Sequence, residues 1–135
     1  MRIVLDTNVL VSGLLNPFGA PGRVLDLILT GSLCILYDDR ILFEYREVLA
    51  RPRFGFEKQL IQSLMEYLIV MGEGVSASPI VIDAPDPDDL PFAEVAIRGN
   101  ADALVTGNPQ HFSFLHHPPV FSAAEFLQFW LENQP

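Results

Sequence analysis

Short, continuously apolar runs alternate with amphipathic segments along the chain. Residues 3–5, 32–37 and 103–106 have the length and composition of strands that are buried on both faces. Residues 80–82, bracketed by prolines, are expected to form either a short strand or an extended loop. Because helical segments separate these runs, the pattern predicts an α/β fold: a three-layer α/β/α sandwich with a mainly parallel central sheet.

The segments between the runs carry apolar residues at the three- and four-residue spacing of helices. Residues 17–22, rich in proline and glycine, are predicted to be a turn. Ser122 and Glu125 have the spacing of a capping box, which marks the start of the last helix. Six helices are predicted. The first begins at about Asn8, the second spans 23–30, and the third runs from Asp38 or Asp39 to before Pro52. The fourth covers about 60–72, the fifth 92–99, and the sixth follows residue 122.

Composition limits the classes of protein that fit. The chain has 135 residues, 50% of them hydrophobic, and we expect one domain over 1–135. No apolar stretch approaches the roughly 18 residues of a membrane span, so we expect a soluble cytoplasmic protein. Cys34 is the only cysteine, which excludes a disulfide framework and a cysteine-based zinc site. The net charge of −9 opposes passive binding to RNA or DNA, so a nucleic acid must be held by metal ions, a local basic patch or a second protein chain.

An aspartate directly follows the first apolar run. In parallel α/β sheets the ligand crevice lies at the carboxyl ends of the strands, where Asp6 is placed. A strand-end aspartate can be a metal ligand, a nucleophile or a helix cap. The choice depends on whether other carboxylates converge on it.

Helical spacing separates two glutamates of the third predicted helix. At about 100° per residue, Glu44 lies at the border of the buried stripe, and Glu47 points almost opposite to it. Glu44 is therefore the one able to face a crevice. The alternative is a surface role, in which Arg40 and Glu44 form an i, i+4 ion pair.

Three carboxylates precede the fifth predicted helix, at Asp86, Asp88 and Asp89. One of them is expected to cap the helix, but three exceed what a cap needs. Asp89 leads a column with Ala93 and Ala96, whose small side chains allow close packing on the sheet. Asp89 is therefore a cap or a metal ligand, and Asp86 and Asp88 are ligand candidates or members of a solvated turn.

Three carboxylates close together repel each other unless a cation binds between them. Asp6, Glu44 and Asp89 offer hard oxygen ligands of the kind that hold Mg²⁺ or Mn²⁺. Such sites usually serve phosphate chemistry, because a divalent ion activates water and stabilises the leaving oxygen. The residues therefore predict a metal-dependent phosphodiesterase site.

Four segments, VLDTNVL (4–10), EYREVLARPRF (44–54), DPDD (86–89) and ADALVTGN (101–108), together resemble the PIN-domain family. More narrowly, the chain is similar to the VapC-like PIN toxins of bacterial toxin–antitoxin systems. The resemblance covers nearly the whole chain and preserves order and spacing. It implies a metal-dependent endoribonuclease acting on RNA, commonly a homodimer, and restrained by an antitoxin protein that plugs the site.

The resemblance also assigns roles to residues. Asp6, Glu44 and Asp89 become the metal ligands, Thr7 and Asn8 orient them, and Thr106 and Asn108 line the scissile phosphate. One departure is that many members carry a further aspartate where this chain has Asn108, or at Gln110 or His111. Asn108 can still bind a metal ion or fix a water, and His111 is a candidate ligand or proton donor, or a loop residue closing a turn.

The same residues exclude two other classes of enzyme and leave one alternative function open. A phosphatase of the haloacid dehalogenase type needs a second aspartate where this chain has Asn8, and a glycine-rich phosphate loop is absent. The remaining alternative is a catalytically weak or inactive PIN-fold module that binds a protein partner. If RNA is bound, Arg46, Arg51 and Arg53 are the expected contacts, because they cluster in sequence beside Glu44.

Overall fold

The computed structural model describes residues 1–80 and 83–134, which form five strands and six helices. The predicted segment 80–82 includes residues 81 and 82, which lie outside the described part. Short 3₁₀ turns cover Pro52–Phe54, Pro87–Asp89 and Pro109–Phe112. In chain order the elements are β1 (Arg2–Leu5), α1 (Thr7–Leu15), α2 (Ala20–Leu29), β2 (Cys34–Tyr37), α3 (Asp39–Leu49), α4 (Lys58–Met71), β3 (Glu73–Gly74), α5 (Leu90–Arg98), β4 (Ala103–Val105), β5 (Val120–Phe121) and α6 (Ala123–Glu132).

The strands form one parallel sheet in the order β3-β2-β1-β4-β5, which confirms the predicted α/β/α architecture. Helix α2 packs against α1 and α6, and α3 packs against α1, α4 and α5. The sequence did not predict β3 and β5. Each has only two residues and lies at an edge of the sheet, so neither has the buried run that marks a central strand.

The sheet has a topological switch point beside β1. From β1 the chain adds β2 and β3 on one side, and later adds β4 and β5 on the other. Crevices in parallel α/β sheets form at such points, outside the carboxyl ends of the strands. Asp6 follows β1 and Thr106 follows β4, so both border this crevice. At the opposite end of the strands Asp102 accepts a hydrogen bond from Arg2 N (2.8 Å), so its carboxylate lies away from the crevice.

Helix α5 packs closely on the sheet. Ala93 and Ala96 are fully buried, and α5 contacts β1, β2 and β4. Small side chains at these positions let the helix axis approach the strands. Asp89, which immediately precedes α5, is thereby brought to the crevice.

The predicted turn over 17–22 is too long, because α2 begins at Ala20. Pro21 lies in the first helical turn, where the missing N–H has no intrahelical acceptor and therefore costs nothing. Gly22 also belongs to the helix, and a Cβ there would lie 2.2 Å from Pro17 O. Glycine is thus required here because the start of α2 approaches the backbone of Pro17 closely.

The capping box of Ser122 and Glu125 is formed at the start of α6, as predicted.

None of the helices in the described ranges is both long and apolar enough to cross a bilayer.

Candidate active site

The candidate site lies where β1 and β4 end side by side. The backbone N–H of Asp6 donates to Val105 O (2.9 Å), and the Thr106 hydroxyl donates to Asp6 Oδ2 (2.8 Å). Asn8 Oδ1 accepts a hydrogen bond from Gly107 N (3.0 Å). Strand pairing sets the register, and these side-chain bonds then join the residues after β1 to the residues after β4.

Asp6 is a buried carboxyl group, with 9% of its surface exposed. Burial raises the pKa of Asp6 from 3.8 to about 6. The hydrogen bond from Thr106 lowers this pKa, whereas the charges of Asp89 and Glu44 raise it further. Three carboxylates from distant parts of the sequence therefore affect one another electrostatically at this end of the sheet.

Helix α3 brings Glu44 to the site. The Thr7 hydroxyl donates a hydrogen bond to Glu44 Oε2, and Glu44 is half-buried while Glu47 is exposed, as the helical spacing predicted. The buried Tyr45 hydroxyl donates to Leu5 O (2.5 Å) and ties α3 to β1. Burial, followed by the nearby carboxylates, holds the pKa of Tyr45 well above its usual value, so this donor stays protonated.

Asp89 stands at the end of a 3₁₀ turn, directly before α5. Its Oδ2 atom is buried, and no described residue donates a hydrogen bond to it. Burial raises the pKa of Asp89, the charges of Asp86 and Glu44 add to the rise, and His111 opposes it. An unsatisfied buried carboxylate oxygen costs roughly 1–3 kcal/mol or more, so it is the atom of this site most in need of a partner.

The neighbouring carboxylates have a different role. Asp86 Oδ1 accepts a hydrogen bond from Asp88 N (2.9 Å) and caps the 3₁₀ turn, whereas the side chain of Asp89 makes no cap. Asp86 and Asp88 are both exposed. Asp89 thus occupies the N-cap position of α5, but its side chain does not cap the helix, and the capping bond of this cluster closes the 3₁₀ turn before α5.

The segment after β4 completes the rim of the crevice. Asn108 is half-buried, and its backbone N–H donates to Thr106 Oγ1 (3.1 Å). His111 is exposed on the following 3₁₀ turn, close enough to Asp89 to lower its pKa. Gln110 is exposed on the same turn. Thr106 therefore links two groups, because it donates to Asp6 and accepts from Asn108.

The three candidate arginines, Arg46, Arg51 and Arg53, are exposed. Arg46 lies about 200° around α3 from Glu44 and lines a groove between α3 and α4, so closeness in sequence does not put it beside that carboxylate. The guanidinium of Arg53 lies over the ring of Phe54, 4.8 Å from the ring centroid. All three therefore lie on the surface, Arg46 on α3 itself and Arg51 and Arg53 in the segment after it.

The donor set fits a hard divalent ion with water in its coordination shell. Within residues 1–80 and 83–134, no three His, Cys, Asp or Glu side chains lie close enough together to hold one metal ion. Mg²⁺ usually takes only one or two protein carboxylates and keeps several waters. Asp6, whose ionised form is disfavoured by burial, and Asp89, with its unsatisfied oxygen, are the residues that a cation would most stabilise.

Sequence reasoning missed an ion pair between a buried glutamate and an exposed arginine, which connects two helices of the site. Glu94 on α5 is 4% exposed and pairs with Arg40 on α3 (2.7 Å), while it also accepts a hydrogen bond from Ile80 N (2.9 Å). Arg40 also binds Asp38, so the alternative pairing of Arg40 with Glu44 is wrong. Glu94 gave no signal in the sequence, because its spacing is that of an ordinary helix residue and its partner is remote.

Comparisons with known proteins relate the chain to a family and a fold. The sequence model described as "PIN domain" matches residues 2–110. An uncharacterized protein of Methanocaldococcus jannaschii is 29% identical over an alignment of 119 positions, which covers 80% of this chain and 71% of that protein. A chain in the crystal structure of VapBC2 from Rickettsia felis, bound to a DNA fragment from the promoter, has a TM-score of 0.55 and 20% identity, over 89% of this chain and 97% of that chain.

The chain belongs to the PIN-domain family, as the match over most of its length shows. Proteins of this family are generally nucleases and typically use divalent metal ions. The likeness to the VapBC2 chain shows a shared fold.

Proposed function

We propose that this protein is a Mg²⁺- or Mn²⁺-dependent endoribonuclease. The observation that chiefly supports the proposal is the buried, unpaired Oδ2 of Asp89 in the same cluster as Asp6 and Glu44, at the switch point of a PIN-domain sheet. An apo protein gains nothing from crowding these anions, whereas a divalent cation would turn their repulsion into attraction. The cluster is thus best explained by cation binding.

The roles of the residues follow from their contacts. Asp6 and Asp89 would hold the ion, and Glu44 would complete the cluster. When bound, the ion would supply water activation and charge neutralisation for hydrolysis of a phosphodiester. Thr106 fixes Asp6 and Thr7 fixes Glu44 by hydrogen bonds. These bonds orient the carboxylates before the substrate arrives.

At the rim Asn108 and His111 contact the substrate. Asn108 offers an amide at the position beside Thr106, where it can bind a phosphate oxygen or fix a water. His111 is exposed next to Asp89, so its imidazole is positioned to donate a proton to the leaving oxygen. Asp86 and Asp88 stay in solvent and contribute negative charge at the entrance.

The proposal includes a biological setting as the toxin of a toxin–antitoxin pair, with an antitoxin protein as partner and a homodimer as the assembly. The resemblance of the sequence motifs to VapC-like toxins and the shared fold with a chain of the VapBC2 structure support it. The exposed apolar side chains on α3 and α4 fit a protein–protein contact: Phe43, Leu60, Val70 and Met71.

Substitution of two neighbouring glutamates tests the nuclease proposal. Glu44→Gln is expected to lower Mn²⁺-dependent cleavage of a labelled single-stranded RNA by about 100-fold, equivalent to about 3 kcal/mol of transition-state stabilisation. Glu47→Gln removes the same charge from the exposed side of the same helix and is expected to leave the rate unchanged. Addition of EDTA is expected to stop cleavage by every variant.

One specific observation favours the inactive binding module as the second candidate. The described residues hold no preformed group of three metal-ligating side chains. If the wild-type protein cuts no RNA with Mg²⁺ or Mn²⁺, and if Glu44→Gln changes nothing, this second function is the correct one.

RNA binding is expected to depend on few basic residues. Simultaneous replacement of Arg46, Arg51 and Arg53 by alanine should weaken binding of single-stranded RNA and reduce the salt slope by about 0.7 per lost phosphate contact. Fluorescence anisotropy across a salt series measures both effects. The control replaces the exposed Arg23 and Arg98, and if it flattens the slope as much as the triple variant does, general charge and not a local contact binds the RNA.

A further inference from the structure

An open cleft of about 430 Å³ adjoins the carboxylate cluster. It is bounded by the first turn of α1, the start of α2, the start of α6 and the residues after β4. We call it the amide cleft, because Asn8 and Asn108 border both this cleft and the candidate active site. Its other walls include Ser12, Pro21 and Ala124. A substrate whose phosphate lies at Asp6 would place an adjoining group in this cleft.

The amide cleft is suited to a neutral group. None of the described residues that line it is charged, although the chain as a whole carries a net charge of −9. Asp6 lies on one side, and on the other the Glu125 carboxylate accepts a hydrogen bond from the lining residue Ser122. A phosphate in the cleft would therefore find no positively charged partner among the described residues of its walls, whereas an uncharged ring needs none.

One polar group of the cleft has a fixed orientation. Gly107 N donates to the side chain of Asn8, so the accepting atom must be Oδ1, and Nδ2 is the remaining donor. No residue in the described ranges accepts a hydrogen bond from this Nδ2. A Cβ on Gly107 would lie 3.2 Å from Asn8 Cγ and Nδ2, so glycine lets the amide stay in this place. The cleft thus presents a preset N–H donor between apolar walls.

We propose that the amide cleft binds the nucleobase next to the scissile phosphate, and that Asn8 Nδ2 donates to a ring carbonyl oxygen of that base. The inference rests on the proposed nuclease function and adds a substrate preference to it. Guanine, uracil and cytosine carry such a carbonyl, and adenine does not. The ring of Pro21 and the small wall residues pack against the base, and the amide donor selects the carbonyl.

The test compares substrates that differ at one nucleotide. After the cleaved bond of a single-stranded RNA has been mapped, oligonucleotides are made that carry hypoxanthine, unsubstituted purine or an abasic sugar on either side of that bond. Wild-type protein is expected to cut and bind the hypoxanthine substrate about tenfold better than the purine or abasic ones, with the preference confined to one side. Cleavage rates and fluorescence anisotropy report the two effects separately.

Two variants on one helix connect the preference to the cleft. Ala124→Leu fills the cleft from an exposed position. This variant is expected to bind and cleave all three substrates only as well as the wild-type protein binds and cleaves the abasic one. Gln128→Leu adds the same side chain one turn further along α6, away from the cleft, and is expected to keep the preference. Circular dichroism melting shows that both variants are folded.

The possible results separate the inference from the function on which it rests. If wild-type protein cuts all substrates equally, or if Ala124→Leu keeps the preference, the inference is overturned while the nuclease function stands. If wild-type protein cuts no RNA, the nuclease function fails. In that case equal binding of hypoxanthine and abasic oligonucleotides overturns the inference as well, and a preference in binding that Ala124→Leu removes supports the cleft.

Discussion

Asp6→Asn is expected to abolish metal-dependent RNA cleavage and, at the same time, to raise the free energy of unfolding at pH 7. The substitution removes the charge that holds the cation, so we expect a loss of activity of about 100-fold or more. Asparagine keeps an oxygen that accepts the hydrogen bond from Thr106, so the local structure is retained. Loss of function is thus coupled to a gain in stability.

The gain follows from the raised pKa of Asp6. Because burial raises the pKa from 3.8 to about 6, the folded state binds a proton more tightly than the unfolded state does. At pH 7, where both states are ionised, this difference costs the apo protein about 3 kcal/mol at 1.36 kcal/mol per pKa unit. Asparagine carries no charge and avoids this cost, so we expect an increase of about 1–3 kcal/mol.

Urea unfolding at several pH values checks this prediction. The free energy of unfolding of the wild-type protein should contain a contribution from Asp6 that is lost as the pH rises from about 4 through 6. Asp6→Asn should not show this pH-dependent loss. Asp26→Asn removes one charge from an exposed position on α2 and should follow the wild type. A variant that cleaves RNA at the wild-type rate, or that is less stable than the wild type at pH 7, would contradict the proposed role of Asp6.

A second large effect is expected from metal binding itself. Mn²⁺ at 100 times its dissociation constant should stabilise the folded protein by about 2.7 kcal/mol and raise the melting temperature on the order of 10 °C. The effect should weaken below pH 6, because Asp6 must release its proton to bind the ion. EDTA should reverse it completely.

The neighbouring aspartates provide the control for this measurement. Asp89→Asn should remove the Mn²⁺-dependent rise in melting temperature, because the buried Oδ2 of Asp89 is a proposed ligand. Asp88→Asn changes the exposed adjacent residue and should preserve most of the rise. An equal response in both variants would mean that Mn²⁺ binds to the acidic surface and not to the buried cluster.

Several features of the site could be predicted because they depend on local periodicity. A short apolar run followed by Asp6 predicts a strand end at the crevice, and the angle between residues of α3 selects Glu44 over Glu47. The alanines that follow Asp89 on α5 predict a helix packed closely on the sheet. Each inference uses only backbone geometry and burial over one or two turns.

Other features could not be predicted, because they depend on partners that are remote in sequence. Arg40 has a possible partner one turn away at Glu44, yet it pairs with Glu94 across the α3–α5 contact. The Asp89 carboxylate precedes α5 and could cap it, yet its side chain makes no capping bond, while Asp86 caps the 3₁₀ turn before the helix. Local rules leave several pairings open for such groups, and packing selects one.

The sequence by itself determined the alternation of strands and helices, the position of Asp6 at the carboxyl end of the first strand, and the choice of Asp6, Glu44 and Asp89 as candidate ligands. Only the tertiary structure decided that Asp89 keeps an unsatisfied oxygen, that Thr106 and Thr7 hold Asp6 and Glu44, and that a neutral cleft adjoins them. The physical reason is the separation along the sequence of the residues that interact. Hydrophobic periodicity records which face of each element is buried, whereas a hydrogen bond between side chains 100 positions apart, such as that from Thr106 to Asp6, exists only once the whole sheet has formed.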